Sequence, residues 1–534
     1  MLPLPSPPGR MASENAAAVA PARYMEQRVQ STPVLELLPA AVPNAVCFRY
    51  RCDDTERANA HLAAALRECG FAAALETGIN GRPEIRSTIE ECASTVDVDA
   101  LVNAAIVLGA IAANGKPVPA VITGNLSPLG LPKFIGFAGL WRLLLSGIEI
   151  SYLGPLLEAH LARNPDDAAA MMDMATLLIL TRIPENRGPA LALQAQALDI
   201  QQLYWLPAAG EGVGIRVLNI VGPGDMTANT HLDCLLENSD VELLMLYACP
   251  GRPFPSPLPD HDLVFVSVGE SVQSRPLLKQ VENFTNASPK PVVNAPDRIL
   301  RLSRDRVSAL LRNMPGIVMP VTVGVSRGSL ERVGHGDLPM AALLEDGVFP
   351  IIARPLGSQG GKDLAKLDDP AAVGDYLRTT SGSEFFISRF VDYSGPDGLF
   401  RKYRVVLIAG RPYACHMGIS THWMIHYVNA DMDESAAKRD EEARFMADFD
   451  TGFASRHGDS LARIDALMGL NYYAIDCAET PDGRLLVFEV DTAMLVHAMD
   501  PPDLFPYKRP QMRKLFAAFR SMLTAVVETS HQAK

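Results

Sequence analysis

The sequence predicts an α/β protein behind a helical amino-terminal region, and three observations predict it. Up to about residue 206 the apolar residues recur at helical spacing, while beyond it short apolar runs alternate with helical stretches. Where the period changes, at 207–214, the composition turns to glycine and alanine, which marks a domain boundary. Near the carboxyl end, 471–495 reads as a β-hairpin, because two apolar runs flank Pro481-Asp482-Gly483, a tripeptide suited to a tight turn.

At 534 residues the chain is long enough for about three domains, and 48% hydrophobic with 20% charged residues describes a globular protein. The expected division is a Pro/Ala-rich flexible tail at 1–40, a helical domain at 41–206, a small parallel α/β domain at 207–325 and a larger one at 326–534. Met1 and Met11 both stand as candidate starts. A net charge of −13 argues against nucleic acid or an anionic membrane as the main partner. The most apolar run, 100–113, is too short to span a bilayer and contains Asn103. Eight scattered cysteines without paired spacing read as reduced thiols of a cytoplasmic protein.

Taken in order, Asp53-Asp54-Thr55 caps an amphipathic helix that runs to Gly70. Further helices follow, and 164–203 resembles a tetratricopeptide helix pair, with an irregular bundle as the other reading. A helical region of that kind would recruit a peptide or protein. IRVLNIVGPGD, VELLMLYA and HDLVFVSVGE are strands alternating with helical stretches, which means a parallel sheet. Gly222-Pro223-Gly224 reads as a tight turn rather than a dinucleotide loop. An arginine-rich helix at 304–311 and the strand IVMPVT come next.

VFPIIARPLGSQGGKDL places Arg354 on a strand just before Gly357, Ser358, Gly360, Gly361 and Lys362. Glycines let successive N–H groups turn toward an anion, and the two cations add charge. EFFISRFVD, with Ser388, Arg389 and Phe390, is a further strand. KYRVVLIAGRPYACHMGIS is a hairpin carrying Arg404 and His416. In the last hairpin Glu489 and Asp491 share one face, with Asp476 opposite or diagonal on the partner strand. Three carboxylates on an apolar hairpin would suit a hard cation held together with phosphates; the other reading is a solvated edge.

In this order the pieces resemble the ATP-grasp superfamily, nearest the group of glutathione synthetase, ribosomal-protein glutamate ligases and D-alanine–D-alanine ligase. Four segments carry the resemblance: Asn294 with the RDR helix and PGIVMPVT; FPIIARPLGSQGGKDL; YRVVLIAGRPYA; and AIDCAETPDGRLLVFEVD. They span 215–523. The resemblance implies an ATP-grasp fold after a pre-ATP-grasp domain, with ATP and Mg2+ bound. It assigns phosphate contacts to Arg306, Arg354, the glycine loop 357–362 and Arg404, and the adenine hinge to Ser388, Arg389 and Phe390. It makes Asp476, Glu489 and Asp491 the metal ligands, and Arg404, Arg354 and His416 the candidates for catalysis. The family usually has lysine at Arg306 and Arg354 and asparagine at Asp491, so charge geometry differs here.

The implied reaction joins a carboxylate substrate to an amine through an acyl phosphate, in a protein that is often oligomeric. The alternative from another class is a non-catalytic nucleotide-binding or scaffold protein with a degenerate form of the fold.

Overall fold

The computed structural model describes residues 21–40, 45–68, 73–77, 83–88, 95–113, 134–145, 150–209, 212–358 and 360–532. The first twenty residues of the expected tail lie outside these. The chain divides into two compact units, Met1–Leu206 and Pro207–Lys534. Among the described residues no helix is long and apolar enough to cross a membrane.

The first unit corrects the sequence reading. A helix covers 21–30, and strand β1 (Leu35–Leu38) follows, so the expected tail does not extend to residue 40. Nor is the rest all helical: β2 (Ala45–Tyr50), β3 (Ala73–Thr77) and β4 (Pro83–Thr88) join β1 in an antiparallel sheet of order β1–β2–β4–β3. The physical reason is burial on both faces. Val46, Cys47, Phe48 and Tyr50 are all buried, so the strand shows no alternation to distinguish it from a buried helix. Helices Thr55–Glu68 and Thr95–Ala113 supply Leu62, Leu66, Leu101 and Leu108 to the same core. The helix pair expected at 164–203 is present as Ala168–Leu180 and Pro184–Ile200, and β5 (Leu203–Leu206) ends the unit. Asp173 is fully buried, and its carboxylate accepts the backbone N–H groups of Ile135 and Gly136 at 2.9–3.0 Å, capping helix Gly136–Leu145.

The second unit begins with a parallel sheet. Its strands β6 (Ile215–Val221), β7 (Val241–Tyr247), β8 (Leu263–Val266) and β9 (Val292–Val293) lie in the order β7–β6–β8–β9. All of β6 except Arg216 is buried, as expected for a strand covered on both faces. Just after β9, Asn294 adopts φ +56° and is buried. Its amide accepts the N–H groups of Asn471 and Tyr472 at 3.0 and 3.1 Å and donates to the Tyr472 carbonyl at 2.7 Å.

Beyond it come β10 (Ile317–Val318), β11 (Thr322–Ser326), β12 (Ile351–Pro355), β13 (Ala365–Leu367) and β14 (Glu384–Arg389). They are followed by β15 (Phe400–Ile408), β16 (Arg411–Ser420), β17 (Tyr472–Glu479) and β18 (Leu485–Asp491). One antiparallel sheet has the order β11–β14–β12–β13, backed by helices Arg327–Gly334 and Pro370–Thr379 through Leu330, Val333, Phe385 and Ile387. The other has the order β10–β18–β17–β15–β16, antiparallel except for the β10–β18 pair. The expected hairpin is β17–β18, with Gly483 at φ +82° in its turn. Asp476 stands opposite Glu489, and the register shifts just beyond Asp476.

Candidate functional site

A cavity of about 370 Å³ opens between the two antiparallel sheets. Its apolar part is formed by Met319, Ile352, Phe386, Phe390, Leu486 and Phe488. Its polar part carries five cations, Arg304, Arg354, Arg389, Lys402 and Arg404, against three carboxylates, Asp476, Glu489 and Asp491. The surplus is positive although the whole chain is acidic, so this cleft is suited to an anion with an apolar portion.

Arg404 extends from β15 and clasps Asp476 on the neighbouring β17. Nε donates to Oδ1 at 2.8 Å and Nη2 to Oδ2 at 3.1 Å, while Nη1 donates to the Leu495 carbonyl at 3.1 Å. Lys402, two residues earlier and therefore on the same strand face, places Nζ 2.7 Å from Asp476 Oδ2. Burial would raise the Asp476 carboxyl, but Arg404 and Lys402 outweigh it and hold the group well below the usual carboxylate range.

Arg354 is also buried, on β12. Its guanidinium donates to Ser358 Oγ at 3.1 Å and to the Ser358 carbonyl, which folds the glycine loop back over the strand end. Burial and the neighbouring Arg304 lower its pKa to about 10. Gly357, Gly360 and Gly361 adopt φ of +81°, +60° and +73°, conformations in which a side chain is strained. Arg304 forms an ion pair with Glu489. Asp491 accepts the Ala493 N–H at 3.1 Å, and burial together with Glu489 pushes its carboxyl up to about 7.

The structure brings together at this cavity Arg354, Gly360, Gly361, Ser388, Arg389, Phe390, Arg404, Asp476, Glu489 and Asp491 of the sequence-derived set. Gly357 and Ser358 line an adjoining cavity of about 40 Å³ with Ser271, Arg275 and Asp491. Lys362 lines neither. Arg306 also lies outside: its Nη1 donates to the Leu300 carbonyl at 2.8 Å. Arg304 takes its place, because positions two apart on a helix point to nearly opposite sides. His416 does not reach the cavity either. It is half-buried opposite Arg404, its ring 4.8 Å from that of Tyr427, and desolvation and Arg404 hold its pKa well below the ordinary value.

The three carboxylates do not form one cluster. Among the described residues no group of three or more His, Cys, Asp or Glu side chains is placed to hold a metal ion. Asp476 is saturated by two cations, whereas Asp491 and its neighbour Glu489 stand side by side in a half-buried corner with Arg304 alone, among the described residues, paired to them. That corner has the donor chemistry for a divalent cation completed by ligand phosphates; Asp476 does not. Arg304 and Lys402, outside the sequence-derived set, also line the cavity, as do Trp423 and His426 of HMGISTHWMIHYVN, a stretch that the sequence reading places near the substrate side.

No protein-family model matches the chain, and no curated protein matches it. Among solved structures, it is similar to the VanG D-Ala:D-Ser ligase from Enterococcus faecalis, at 13% identity over 57% of this chain and 99% of that one, with a TM-score of 0.35. It is also similar to the RimK domain protein ATP-grasp from Sphaerobacter thermophilus, at 17% identity over 57% of this chain and 98% of that one, with a TM-score of 0.34. A third match is the D-alanyl-alanine synthetase A from Vibrio cholerae, at 12% identity over 60% and 99%, with a TM-score of 0.35. Likeness this slight carries no argument about activity, which rests on the residues of the cleft.

Proposed function

We propose that this chain is an ATP-dependent ligase of the ATP-grasp type, which activates a carboxylate as an acyl phosphate and joins it to an amine. The observation that carries the reading is the cleft between two antiparallel sheets, apolar at one end and lined by five cations and a pair of neighbouring carboxylates at the other. Phe386, Leu486 and Phe488 suit the faces of a purine, with backbone groups of 388–391 at its edge. Arg304, Arg354, Lys402 and Arg404 then neutralise charge that develops on the transferring phosphoryl group. The loop at 356–364, folded over the end of β12 by Arg354, keeps water from the reacting group. Glu489 and Asp491 are the residues that would hold Mg2+, which when bound polarises the phosphoryl oxygens.

In the first step the substrate carboxylate oxygen bonds to the γ-phosphorus and ADP leaves. In the second the amine nitrogen bonds to the acyl carbon, the carbon–oxygen bond to phosphate breaks, and the amine releases a proton. No protein nucleophile is required. A peptide or protein carboxylate recruited by the first unit, a cytoplasmic location and a homo-oligomer belong to the same reading.

A second reading, a nucleotide-binding protein without ligase activity, is favoured by one observation: the clasp of Arg404 and Lys402 on Asp476, which removes one expected ligand. Thermal melting with and without magnesium-ATP, on wild type and Glu489→Ala, tests the shared premise. Ligand at about a hundred times its dissociation constant stabilises by ~2.7 kcal/mol, an effect the variant should lose. ADP release that requires both a carboxylate and an amine then separates ligase from binder. No melting shift in the wild type would end both readings.

A further inference from the structure

His426 lines the cleft beside the glycine loop, and three main-chain contacts hold its segment in place. The Ile425 carbonyl accepts Lys402 Nζ at 3.2 Å, which ties this segment to β15. The His426 backbone N–H donates to Asn429 Oδ1 at 2.8 Å, and the Asn429 backbone N–H in turn donates to the His426 carbonyl at 2.9 Å. Nε2 is buried and has no hydrogen-bond partner. A neutral imidazole carries its one proton on either ring nitrogen, and opposite an acceptor the unpartnered Nε2 is the one that carries it. Burial and Lys402, with Arg354 and Arg404 adding to them against Asp476, keep the ring neutral.

The result is a rigidly held N–H donor with nothing to donate to, in a pocket crowded with cations. A buried donor without an acceptor is costly, and the charges around this one select an anionic oxygen. Its position adds a second clue. A Cβ built on Gly361 would lie 2.0 Å from Nε2, so the loop lies against the ring only because residue 361 is glycine. The donor and the loop over the phosphates thus meet at one point, on the side of the cavity where Lys402 and Arg404 stand.

Building on the nucleotide reading above, we propose that Nε2–H of His426 donates to an oxygen of the terminal phosphoryl group of ATP. His426 then distinguishes a nucleoside triphosphate from the diphosphate and orients the group that is transferred. His416, which the sequence favoured, does not line the cavity.

Calorimetric binding of magnesium-ATP and magnesium-ADP to the full chain decides the matter, using wild type, His426→Phe and His426→Gln. Loss of a hydrogen bond to a charged group should weaken ATP at least about tenfold in His426→Phe and leave ADP within about twofold. His426→Gln, which restores a donor, should recover most of the ATP affinity. Should His426→Phe melt below wild type, His426→Ala takes its place in the comparison. Equal weakening of both nucleotides, or none, in a folded variant overturns this role for His426 while leaving the nucleotide site intact. A wild type that binds neither nucleotide overturns both.

Discussion

Arg404 and Asp476 stand opposite each other on adjacent strands and are joined by two hydrogen bonds of 2.8 and 3.1 Å, with the carboxylate 2% exposed. A carboxylate at that depth is tolerable only with its charge matched. Truncating Arg404 leaves Lys402 as the remaining cation within reach of it. Arg404→Met should therefore destabilise the protein by about 3–5 kcal/mol. Asp476→Asn added to that variant should recover much of the loss, because the charge needing compensation is gone. Urea denaturation of the two singles and the double gives the coupling. Additive losses would show that the clasp contributes nothing.

The same clasp separates the roles of the three acids. Glu489→Gln and Asp491→Asn should each raise the magnesium concentration needed for an ATP-induced melting shift by at least about tenfold. Asp476→Asn should lower the melting temperature and leave that magnesium midpoint in place. Equal displacement of the midpoint in all three variants would return Asp476 to the ligand set.

Two glycines of one loop make a controlled comparison. Gly360 and Gly361 both have positive φ, but a Cβ at Gly360 meets nothing within 4 Å while one at Gly361 would strike His426. Gly360→Ala should thus cost only its backbone strain, roughly 1 kcal/mol. Gly361→Ala forces the loop away from the ring and should weaken magnesium-ATP binding by about tenfold or more. Because His426→Ala alone already removes the hydrogen bond, adding it to Gly361→Ala should weaken binding little further. Indistinguishable affinities for the two alanine variants would mean that the contact is incidental.

How far the site could be read from the sequence depended on whether spacing alone placed the side chain. Glu489 and Asp491 were legible because a strand alternates faces and Pro481-Asp482-Gly483 fixes where the strand begins. Their register with Asp476 was not, since it rests on an irregularity between Asp476 and Cys477 that leaves no compositional trace. Arg304 and Arg306 look alike in the string RDR, and only the start of the helix at Arg304 decides which one faces the cleft. Of the histidines in 416–426, His416 falls on β16 opposite Arg404 and outside the cavity, while His426 reaches the cleft from a short 3-10 turn, where no strand period applies. In the first unit the helices announced themselves by period, and β2 did not, because both of its faces are buried.

Asp173 offers a test of the first unit that is independent of any ligand. Burial, opposed by the two N–H groups it accepts and aided by Asp167, raises its carboxyl to about 7, whereas in the unfolded chain it titrates near its ordinary value of 3.8. Between those pH values the folded state holds a proton that the unfolded state has released. Stability must then fall as pH rises through this window, by up to about 4 kcal/mol for a fully buried group. Asp173→Asn keeps an oxygen to accept from Ile135 and Gly136 but cannot ionise. Urea unfolding at pH 5 and pH 8 should show wild type losing stability relative to Asp173→Asn at the higher pH. Parallel changes in the two proteins would mean that Asp173 is ionised in the folded state, and that its two backbone donors outweigh its burial.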